Sequence, residues 1–417
     1  MRRLAGAILS LILGAVAGRA AQAAEAPTVW VEVTGRGTEV RAVTAEAACP
    51  AITVDGHRRR MTERAAPTDA FANRICVAAL SRGVRTVRLA GQALPVPKAR
   101  PRRLVILGDS GCRLKGPIVQ DCNDPKSGWP FALVSALAAK QKPDLVVHVG
   151  DYYYRETPCP AGDARCAGSP FGDRWATWRA EVFAPAAPLL AAAPWVFARG
   201  NHEDCQRGGA GWFRLLDASQ EVRACPAQSD TFAVELGGVR LLVLDSADPD
   251  DFTLKPDQEA AFVARMDAMD RLRRGEPAWL VTHRPFWVIE RKGDALSDGL
   301  GNVNLRAAAK GRDLKGIDLV LVGHVHNFTS LDFGAARPPE LIVGAGGDLQ
   351  SPADLPAPAV GPVSIDGLQA QAFTMGRFGY FVFDRKGADW MGAFHDLTDA
   401  VIARCRLHAA RLTCEQA

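Results

Sequence analysis

The chain has 417 residues, 48% of them hydrophobic, and a formal net charge of +4. Its length allows two or three domains with a large core, and its apolar share is that of an ordinary globular protein. The small net charge argues against a protein that binds nucleic acid through its overall charge.

The first residues predict a secretory signal peptide. Met1–Arg3 is basic, Leu4–Ala17 is almost wholly apolar, and Ala21 to Ala23 is a small-residue cleavage signal. The alternative is a membrane anchor, but a run of about 14 apolar residues is too short to span a bilayer. We therefore expect cleavage after residue 23 and export to the periplasm or outside the cell, with no membrane span in the mature chain. Cleavage would remove three arginines and lower the net charge to about +1.

Ten cysteines in an exported chain predict disulfides, because their number is even. A thiolate metal site is the alternative, but such sites need C-x-x-C pairs, which the sequence lacks. Sequential pairing is one of many possible connectivities, and it is the one that the spacing favours. It gives the pairs Cys49–Cys76, Cys112–Cys122, Cys159–Cys166, Cys205–Cys225 and Cys405–Cys414.

A basic, proline-rich connector at residues 94–101 divides the chain. Before it, Val29–Val33 and Val87–Leu89 are short runs of β-formers between Gly and Pro breaks, which predict a small β-rich domain over residues 24–97. A run of three arginines, Arg58 to Arg60, is more typical of an exposed turn than of a binding patch. Residues 98–417 then form the second predicted domain.

After the connector, strands alternate with helical stretches, which is typical of an α/β domain. Helical spacing of apolar residues is seen at Phe131/Val134/Leu137 and at Phe262/Met266/Met269, and predicts core packing. Five short apolar runs predict strands: Arg103–Leu107, Leu145–Val149, Trp195–Ala198, Trp279–Thr282 and Leu319–Val322.

Each of the five predicted strands ends in a polar cluster. Ligand sites of open α/β sheets lie at the carboxyl ends of the strands, so the five turns should converge on one edge. A glycine before the polar residue allows a sharp turn or a close approach that a side chain would block. The clusters are Gly108-Asp109-Ser110-Gly111, Gly150-Asp151-Tyr152-Tyr153-Tyr154, Gly200-Asn201-His202-Glu203, Thr282-His283 and Gly323-His324-Val325-His326.

These clusters offer hard oxygen and imidazole donors without thiolate, which suits iron, zinc or manganese. Seven side chains exceed what one ion accepts while it leaves room for water and substrate, so two ions that share a bridging carboxylate fit better. The candidate ligands are Asp109, Asp151, Tyr154, Asn201, His283, His324 and His326.

In order and spacing, the five motifs resemble those of the calcineurin-like metallophosphoesterases, and within them the purple acid phosphatases, over residues 103–383. The resemblance implies a four-layer α/β/β/α sandwich, here preceded by the small β-rich domain. It implies that Asp151 bridges both ions and that His202 faces the substrate as a general acid. If the ligand roles of the family are transferred to the matching positions, the first metal is bound by Asp109, Asp151, Tyr154 and His326. The second is then bound by Asp151, Asn201, His283 and His324.

The purple acid phosphatase branch is indicated by Gly111 and Tyr154. Most members of the wider family have a metal-binding His at the position of Gly111, and this branch instead has a Tyr three residues after the bridging Asp. The alternative is that Tyr152, Tyr153 and Tyr154 are aromatic packing. A phenolate ligand implies iron(III) at the first site, with a divalent zinc, iron or manganese ion at the second.

The resemblance implies hydrolysis of phosphate esters by attack of a metal-bound hydroxide on phosphorus. The histidines that purple acid phosphatases commonly place between the last two motifs are missing between Arg284 and Gly323. Arg284 is therefore our candidate for binding the phosphate. The alternatives are a phosphodiesterase for nucleotides or phospholipid headgroups and a non-catalytic metal or phosphate binder. No nucleic-acid scaffold is expected as a partner.

Overall fold

The computed structural model describes residues 26–293, 295–299, 301–310, 312, 314–350 and 357–417. The predicted signal peptide lies outside these residues. The N-terminal part contains the strands β1 (Thr28–Thr34), β2 (Gly37–Thr44), β3 (Ala51–Val54), β4 (His57–Arg60), β5 (Thr62–Ala65), β6 (Arg74–Leu80), β7 (Val87–Leu89) and β8 (Gln92–Leu94).

The second part alternates strands and helices before it ends in consecutive strands. Its strands are β9 (Arg103–Leu107), β10 (Leu114–Lys115), β11 (Ile118–Val119), β12 (Leu145–His148), β13 (Trp195–Phe197), β14 (Phe232–Glu235), β15 (Arg240–Val243), β16 (Ala278–Val281), β17 (Ile289–Lys292), β18 (Ala295–Asp298), β19 (Ile317–Val322), β20 (Phe328–Asp332), β21 (Glu340–Val343), β22 (Ala359–Ile365), β23 (Leu368–Met375), β24 (Gly379–Lys386), β25 (Asp389–Asp396), β26 (Val401–His408) and β27 (Arg411–Gln416). Its α-helices are α1 (Phe131–Lys140), α2 (Trp175–Trp178), α3 (Ala187–Ala192), α4 (Gly209–Leu215), α5 (Pro256–Arg273) and α6 (Val303–Ala309). A π-helical turn, Arg179–Phe183, and a 3-10 turn, Asn201–Glu203, complete the helical segments of the described residues.

Two large sheets form the centre of the molecule. In the described residues, one has eleven strands in the order β27-β26-β25-β24-β9-β12-β13-β1-β2-β6-β5, and the other has eight in the order β14-β15-β16-β19-β21-β20-β23-β22. The neighbours β9, β12 and β13 are parallel, as are β15, β16, β19 and β21. Each sheet therefore has a parallel centre whose strands all end at one edge.

The sheets are stacked face to face with helices outside, which confirms the predicted four layers. Side chains such as Ile106, Val147 and Trp279 form the apolar core between the sheets. Helices α1, α3 and α4 cover the outer face of the eleven-stranded sheet, and α5 and α6 cover that of the other. Strand β12 is buried along its whole length, because both faces of a parallel strand are covered.

The N-terminal part is rich in β-structure, as predicted, but it is not set apart from the large sheet. Strand β1 pairs in parallel with β13, with Glu32 opposite Trp195, so β1, β2, β6 and β5 extend the eleven-stranded sheet. Strands β4-β3-β7-β8 form a second small sheet over a core that includes Val31, Val40 and Ile52. The division of the chain after residue 97 stays a prediction, and hydrogen bonds cross it within one layer.

The predicted secondary structure is confirmed closely. Each of the five strands before the polar clusters is present with ends within two residues of the prediction, and the two predicted apolar stripes lie in α1 and α5. Sequential disulfide pairing is also confirmed for all ten cysteines. Over the described residues, none of the helices combines the length and apolarity that a membrane crossing requires.

Candidate metal centre

All seven predicted ligands lie on loops that leave the strand ends at one edge of the two sheets. Asp109 follows β9, Asp151 and Tyr154 follow β12, Asn201 follows β13, His283 follows β16, and His324 and His326 follow β19. The two sheets therefore face each other with ligands from both, and we call these seven residues the ligand cluster.

One half of the ligand cluster contains the residues predicted for the second metal. His283 Nε2 lies 3.1 Å from Asp151 Oδ2 and 3.0 Å from Asn201 Oδ1. His324 Nδ1 lies 2.7 Å from the same amide oxygen. Ligand atoms of Asp151, His283 and His324 all lie within 4.8 Å of one another, which is close enough to bind one ion.

The other half contains the residues predicted for the first metal. Tyr154 Oη lies 2.8 Å from Asp151 Oδ2, 3.3 Å from Asp109 Oδ1 and 3.1 Å from His326 Nε2. His326 Nε2 is also 3.4 Å from Asp109 Oδ1. Asp151 Oδ2 thus contacts members of both halves, which is the position that a bridging ligand requires.

Contacts on the far side of the ring orient two of the three histidines. His283 Nδ1 is 2.9 Å from the Val149 carbonyl oxygen and His326 Nδ1 is 2.7 Å from that of Leu349. A carbonyl oxygen only accepts, so each Nδ1–H group donates a hydrogen bond. The Nε2 atoms of the two rings then face the other residues of the ligand cluster. This outer hydrogen bond is the usual support of a metal-binding histidine.

Three residues of the ligand cluster have a strained backbone. Asp109, Asp151 and His324 have φ angles of 54°, 61° and 71°, in the left-handed region that non-glycine residues seldom adopt. A side chain at Gly200 would collide with the Asp151 backbone, and one at Gly323 would collide with the Asp109 carboxylate. These two glycines therefore permit the close approach that their place in the motifs predicted.

Two buried glutamates fix the backbone of the motifs. Glu203 accepts hydrogen bonds from the N–H groups of Gly200, Asp151, Tyr152 and Tyr153, at 2.8–3.1 Å. Glu181 accepts from Cys112 at 2.8 Å and Tyr154 at 3.0 Å. The sequence gives no sign of the role of Glu181, because its partners lie 27 and 69 positions away.

Tyr154 occupies the space next to Gly111. A Cβ atom at position 111 would lie 2.5 Å from the Tyr154 ring and 2.7 Å from the Tyr152 carbonyl oxygen, so the ring takes the room that a side chain would need. The other two tyrosines differ, since Tyr152 donates to the Ala198 carbonyl and Tyr153 stacks on Trp178. Of the three hydroxyls, that of Tyr154 is the one within the ligand cluster.

The neighbours of Tyr154 oppose its ionisation. Burial raises the pKa of the Tyr154 phenol well above its usual value, and the carboxylates of Asp151 and Asp109 raise it further. Binding as a phenolate therefore requires a strongly acidifying cation close to the oxygen.

His202 lies beside the ligand cluster and pairs with a carboxylate that the sequence analysis missed. Its Nδ1 is 2.7 Å from Glu156 Oε1, and its ring lies over Tyr154 with a centroid distance of 3.8 Å. Its backbone N–H donates to Asp151 Oδ1 at 2.8 Å. Burial lowers the pKa of the His202 imidazole below its usual value, while the carboxylates of Asp151 and Glu156 partly oppose that shift. The Glu156 contact also orients the ring.

Arg284 reaches the ligand cluster, but its guanidinium already has partners. It forms an ion pair with Asp251, donates to the Ser246 carbonyl at 2.9 Å and lies 3.5 Å from His324 Nε2. Asp251 is also 3.4 Å from His324 Nε2. The role of Arg284 as a phosphate ligand stays a prediction. It requires the phosphate to bind the guanidinium together with the Asp251 carboxylate or in its place.

A second arginine lies on the opposite side of the centre. The Arg113 guanidinium is 4.8 Å from the centre of the Tyr154 ring and pairs with the buried carboxylate of Asp348. Asp348 in turn is 3.4 Å from His326 Nδ1. Sequence reasoning missed this pair, because neither residue belongs to a motif.

The residues fit two ions. Asp109 and Asp151 are almost fully buried, and buried carboxylates are normally paired or bound to a metal. The surrounding ligand atoms are oxygen and imidazole nitrogen without thiolate, and His283 and His326 direct their Nε2 atoms inward.

The chain belongs to the calcineurin-like phosphoesterase family, whose sequence profile matches residues 103–328. No curated protein sequence matches the chain. Among solved structures, PhoD resembles it with a TM-score of 0.54 at 14% identity, over 94% of this chain and 92% of PhoD. At that identity the likeness establishes the fold alone.

Two further structures are more distant. GAP50, described as the anchor in the inner membrane complex of Plasmodium, gives a TM-score of 0.46 at 13% identity, over 74% of this chain and 89% of its own. A dimetal phosphatase from Danio rerio gives 0.41 at 9% identity, over 74% and 99%.

Replacing Gly111 with alanine should displace Tyr154, because the added methyl group would overlap the ring. We expect Gly111→Ala to lower the free energy of unfolding by about 1–3 kcal/mol and to reduce the metal content. Urea denaturation and elemental analysis measure both. Gly361→Ala is the control, because nothing lies within 4 Å of a Cβ there. If the two variants behave alike, the crowding at position 111 is not as described.

Proposed function

We propose that the protein is an exported phosphate-ester hydrolase of the purple acid phosphatase type, with two metal ions in the ligand cluster. The observation that carries the proposal is the position of Asp151 Oδ2, 3.1 Å from His283 Nε2 and 2.8 Å from Tyr154 Oη. One carboxylate thus belongs to both halves of the ligand cluster, in a chain of the calcineurin-like phosphoesterase family. Two bound ions supply an acidified water as nucleophile and neutralise charge on the phosphoryl oxygens.

The chain's own groups then orient the ester and move protons. His202 Nε2 is the free nitrogen of a ring whose Nδ1 faces Glu156, so it can protonate the leaving oxygen. Arg284 is the proposed cation for the phosphate, and it must exchange part of its contact with Asp251 for the substrate. The bond from phosphorus to the leaving oxygen breaks without a covalent intermediate on the protein, and the alcohol and the phosphate product leave the site.

Iron(III) is the ion that we propose for the first site, because a buried phenol between two carboxylates ionises only beside a strongly acidifying cation. A divalent zinc, iron or manganese ion suits the second site, where two imidazoles and an amide oxygen meet a shared carboxylate. The Tyr154 oxygen, the position of its ring beside Gly111 and the predicted branch of the family support this assignment.

Export is supported by the five disulfides, which include every cysteine of the chain. Such bonds persist in oxidising compartments. The predicted cleavage after residue 23 is the proposed route out of the cytosol.

Asp151→Asn should nearly abolish hydrolysis and lower the metal content, because it removes an anion shared by both ions. We expect the rate of hydrolysis to fall by at least about a hundredfold. That is the upper range for loss of a residue that only supports a metal ligand, and Asp151 is proposed to be a ligand itself. Hydrolysis of p-nitrophenyl phosphate and of bis(p-nitrophenyl) phosphate measures it and separates a monoesterase from a diesterase. Asp230→Asn is the matched control, since that side chain is 80% exposed. Full activity of the Asp151 variant would refute the two-metal proposal.

A wild-type protein that binds metal and hydrolyses neither ester would instead indicate a non-catalytic binder.

His202→Ala should keep both metals and slow turnover, by roughly 10²–10⁴-fold for esters with poor leaving groups. The loss should be smaller for p-nitrophenyl phosphate, whose leaving group needs no proton. Glu156→Gln should give a weaker loss with the same dependence on the leaving group, because it removes only the partner of the ring. The exposed His408→Ala is the control. Equal losses on activated and unactivated esters would contradict proton donation.

Tyr154→Phe should bleach the protein. Phenolate bound to iron(III) absorbs visible light, so aerobically purified, iron-loaded protein should be violet to pink. Tyr153→Phe should keep the colour, because its ring packs on Trp178 outside the ligand cluster. Visible absorption and iron content are measured together. An active, iron-loaded and oxidised protein without colour would remove the purple acid phosphatase assignment and leave the wider family intact.

A further inference from the structure

Three arginines of the N-terminal part reach far across the sequence to the end of a helix of the second part. The exposed Arg36 donates to the Ala218 carbonyl at 2.5 Å, and Arg41 and Arg64 form the other bonds. Arg41 lies on β2 and is fully buried, and Arg64 lies on β5 and is partly buried. Their hydrogen-bond partners are backbone carbonyls near the C-terminal end of α4, about 150–175 residues later in the chain.

Arg64 alone forms five of these bonds. Its donors contact the carbonyl oxygens of Phe213, Arg214, Asp217, Ser219 and Gln220 at 2.6–3.1 Å. Arg41 adds the carbonyls of Leu215 at 2.6 Å and Asp217 at 2.8 Å. The last carbonyls of an α-helix have no hydrogen-bond partner within the helix and carry a partial negative charge. An arginine there donates hydrogen bonds to these carbonyls and also neutralises part of that charge.

Arg41 is itself held in place within the N-terminal part. It pairs with Glu32 at 3.0 Å and donates to Glu39 at 2.9 Å, inside a buried network. A buried guanidinium needs such anions, and they prevent it from following the helix if α4 moves. The strands that carry both arginines are hydrogen-bonded into the eleven-stranded sheet through β13.

The opposite end of α4 is joined to the motif that carries Asn201 and His202. Gly208, which directly precedes α4, donates its N–H to the His202 carbonyl at 3.0 Å. The disulfide Cys205–Cys225 closes the segment around the helix, and Trp212 of α4 stacks on Tyr152. A displacement of α4 would therefore be transmitted to the His202 backbone.

We propose that the N-terminal part is a clamp for the metal centre, in which Arg41 and Arg64 hold the C-terminal end of α4 and thereby position His202. Both arginines are positioning residues, because neither contacts the ligand cluster. This inference rests on the proposed function for its kinetic consequence, but its structural part can be measured separately.

Arg64→Met tests the clamp, since methionine keeps an apolar chain and removes all five donors. Arg41 is less suitable, because its removal would take the cation that pairs with the buried Glu32 and the variant could fail to fold. Arg59→Met is the matched control, because Arg59 is exposed and donates to the Ala79 carbonyl within the N-terminal part.

Hydrogen–deuterium exchange of the metal-loaded protein gives the structural outcome. We expect exchange over residues 201–217 to be faster in Arg64→Met by on the order of tenfold, and unchanged in Arg59→Met. Unchanged exchange in both variants would overturn the clamp, and this comparison holds even if the wild type hydrolyses no ester and the proposed function fails.

Kinetics give the outcome for positioning. Arg64→Met should lower kcat more for unactivated esters than for p-nitrophenyl phosphate, as His202→Ala does, by on the order of tenfold. In the His202→Ala background, Arg64→Met should leave the ratio of kcat for unactivated esters to kcat for p-nitrophenyl phosphate unchanged, because the two substitutions act through one imidazole. Equal losses on both esters that add to those of His202→Ala would show that Arg64 only stabilises the fold.

Discussion

The carboxylate of Asp151 is the constraint on which the rest of the site depends. One of its oxygens contacts both halves of the ligand cluster, while the other accepts the His202 backbone N–H at 2.8 Å. Asp151 has a φ angle in the left-handed region. Glu203 stabilises this conformation because it accepts hydrogen bonds from the N–H groups of Asp151 and the two residues after it. A small shift of this backbone would therefore alter both metal positions and the adjacent imidazole together.

This dependence explains why so many buried polar groups surround the motifs. Ligands from two separate sheets must keep their spacing to within tenths of an ångström, and loops alone would not hold them. Glu181 fixes the Tyr154 loop, Asp348 lies behind His326, and the N–H of Gly208 donates to the carbonyl of His202 in the Asn201 motif. Each support lies outside the donor set and acts on the backbone or the far side of a ring.

Much of the architecture could be predicted from the sequence, because its signals are local. Short apolar runs followed by polar residues gave the five strands and their common edge, and the glycines before Asn201 and His324 indicated the close approaches now seen. The sequence also indicated that the Tyr154 ring takes the place of a side chain at position 111, because Gly111 and Tyr154 both lie within the recognised motifs. Neighbouring cysteines pair because the loops that they close are short.

The parts that could not be predicted depend on contacts between distant positions. Glu156, Asp251 and Asp348 are ordinary carboxylates in the sequence, and only the fold brings them to a histidine. The same holds for Arg284, whose pairing with Asp251 follows from the path of a loop 33 residues earlier in the chain. The joining of β1 to β13 was also missed, since a strand's pattern does not identify its partner.

The single parallel junction between Glu32 and Trp195 has a consequence for the order of folding. Strands β1, β2 and β6 can pair as soon as they are synthesised, but the neighbour of β1 arrives more than 160 residues later. Until then β1 is an open edge with unpaired backbone groups, a state that favours intermolecular pairing. Because closure of so long a loop is slow, a chaperone that shields this edge during biogenesis would have most effect before β13 emerges.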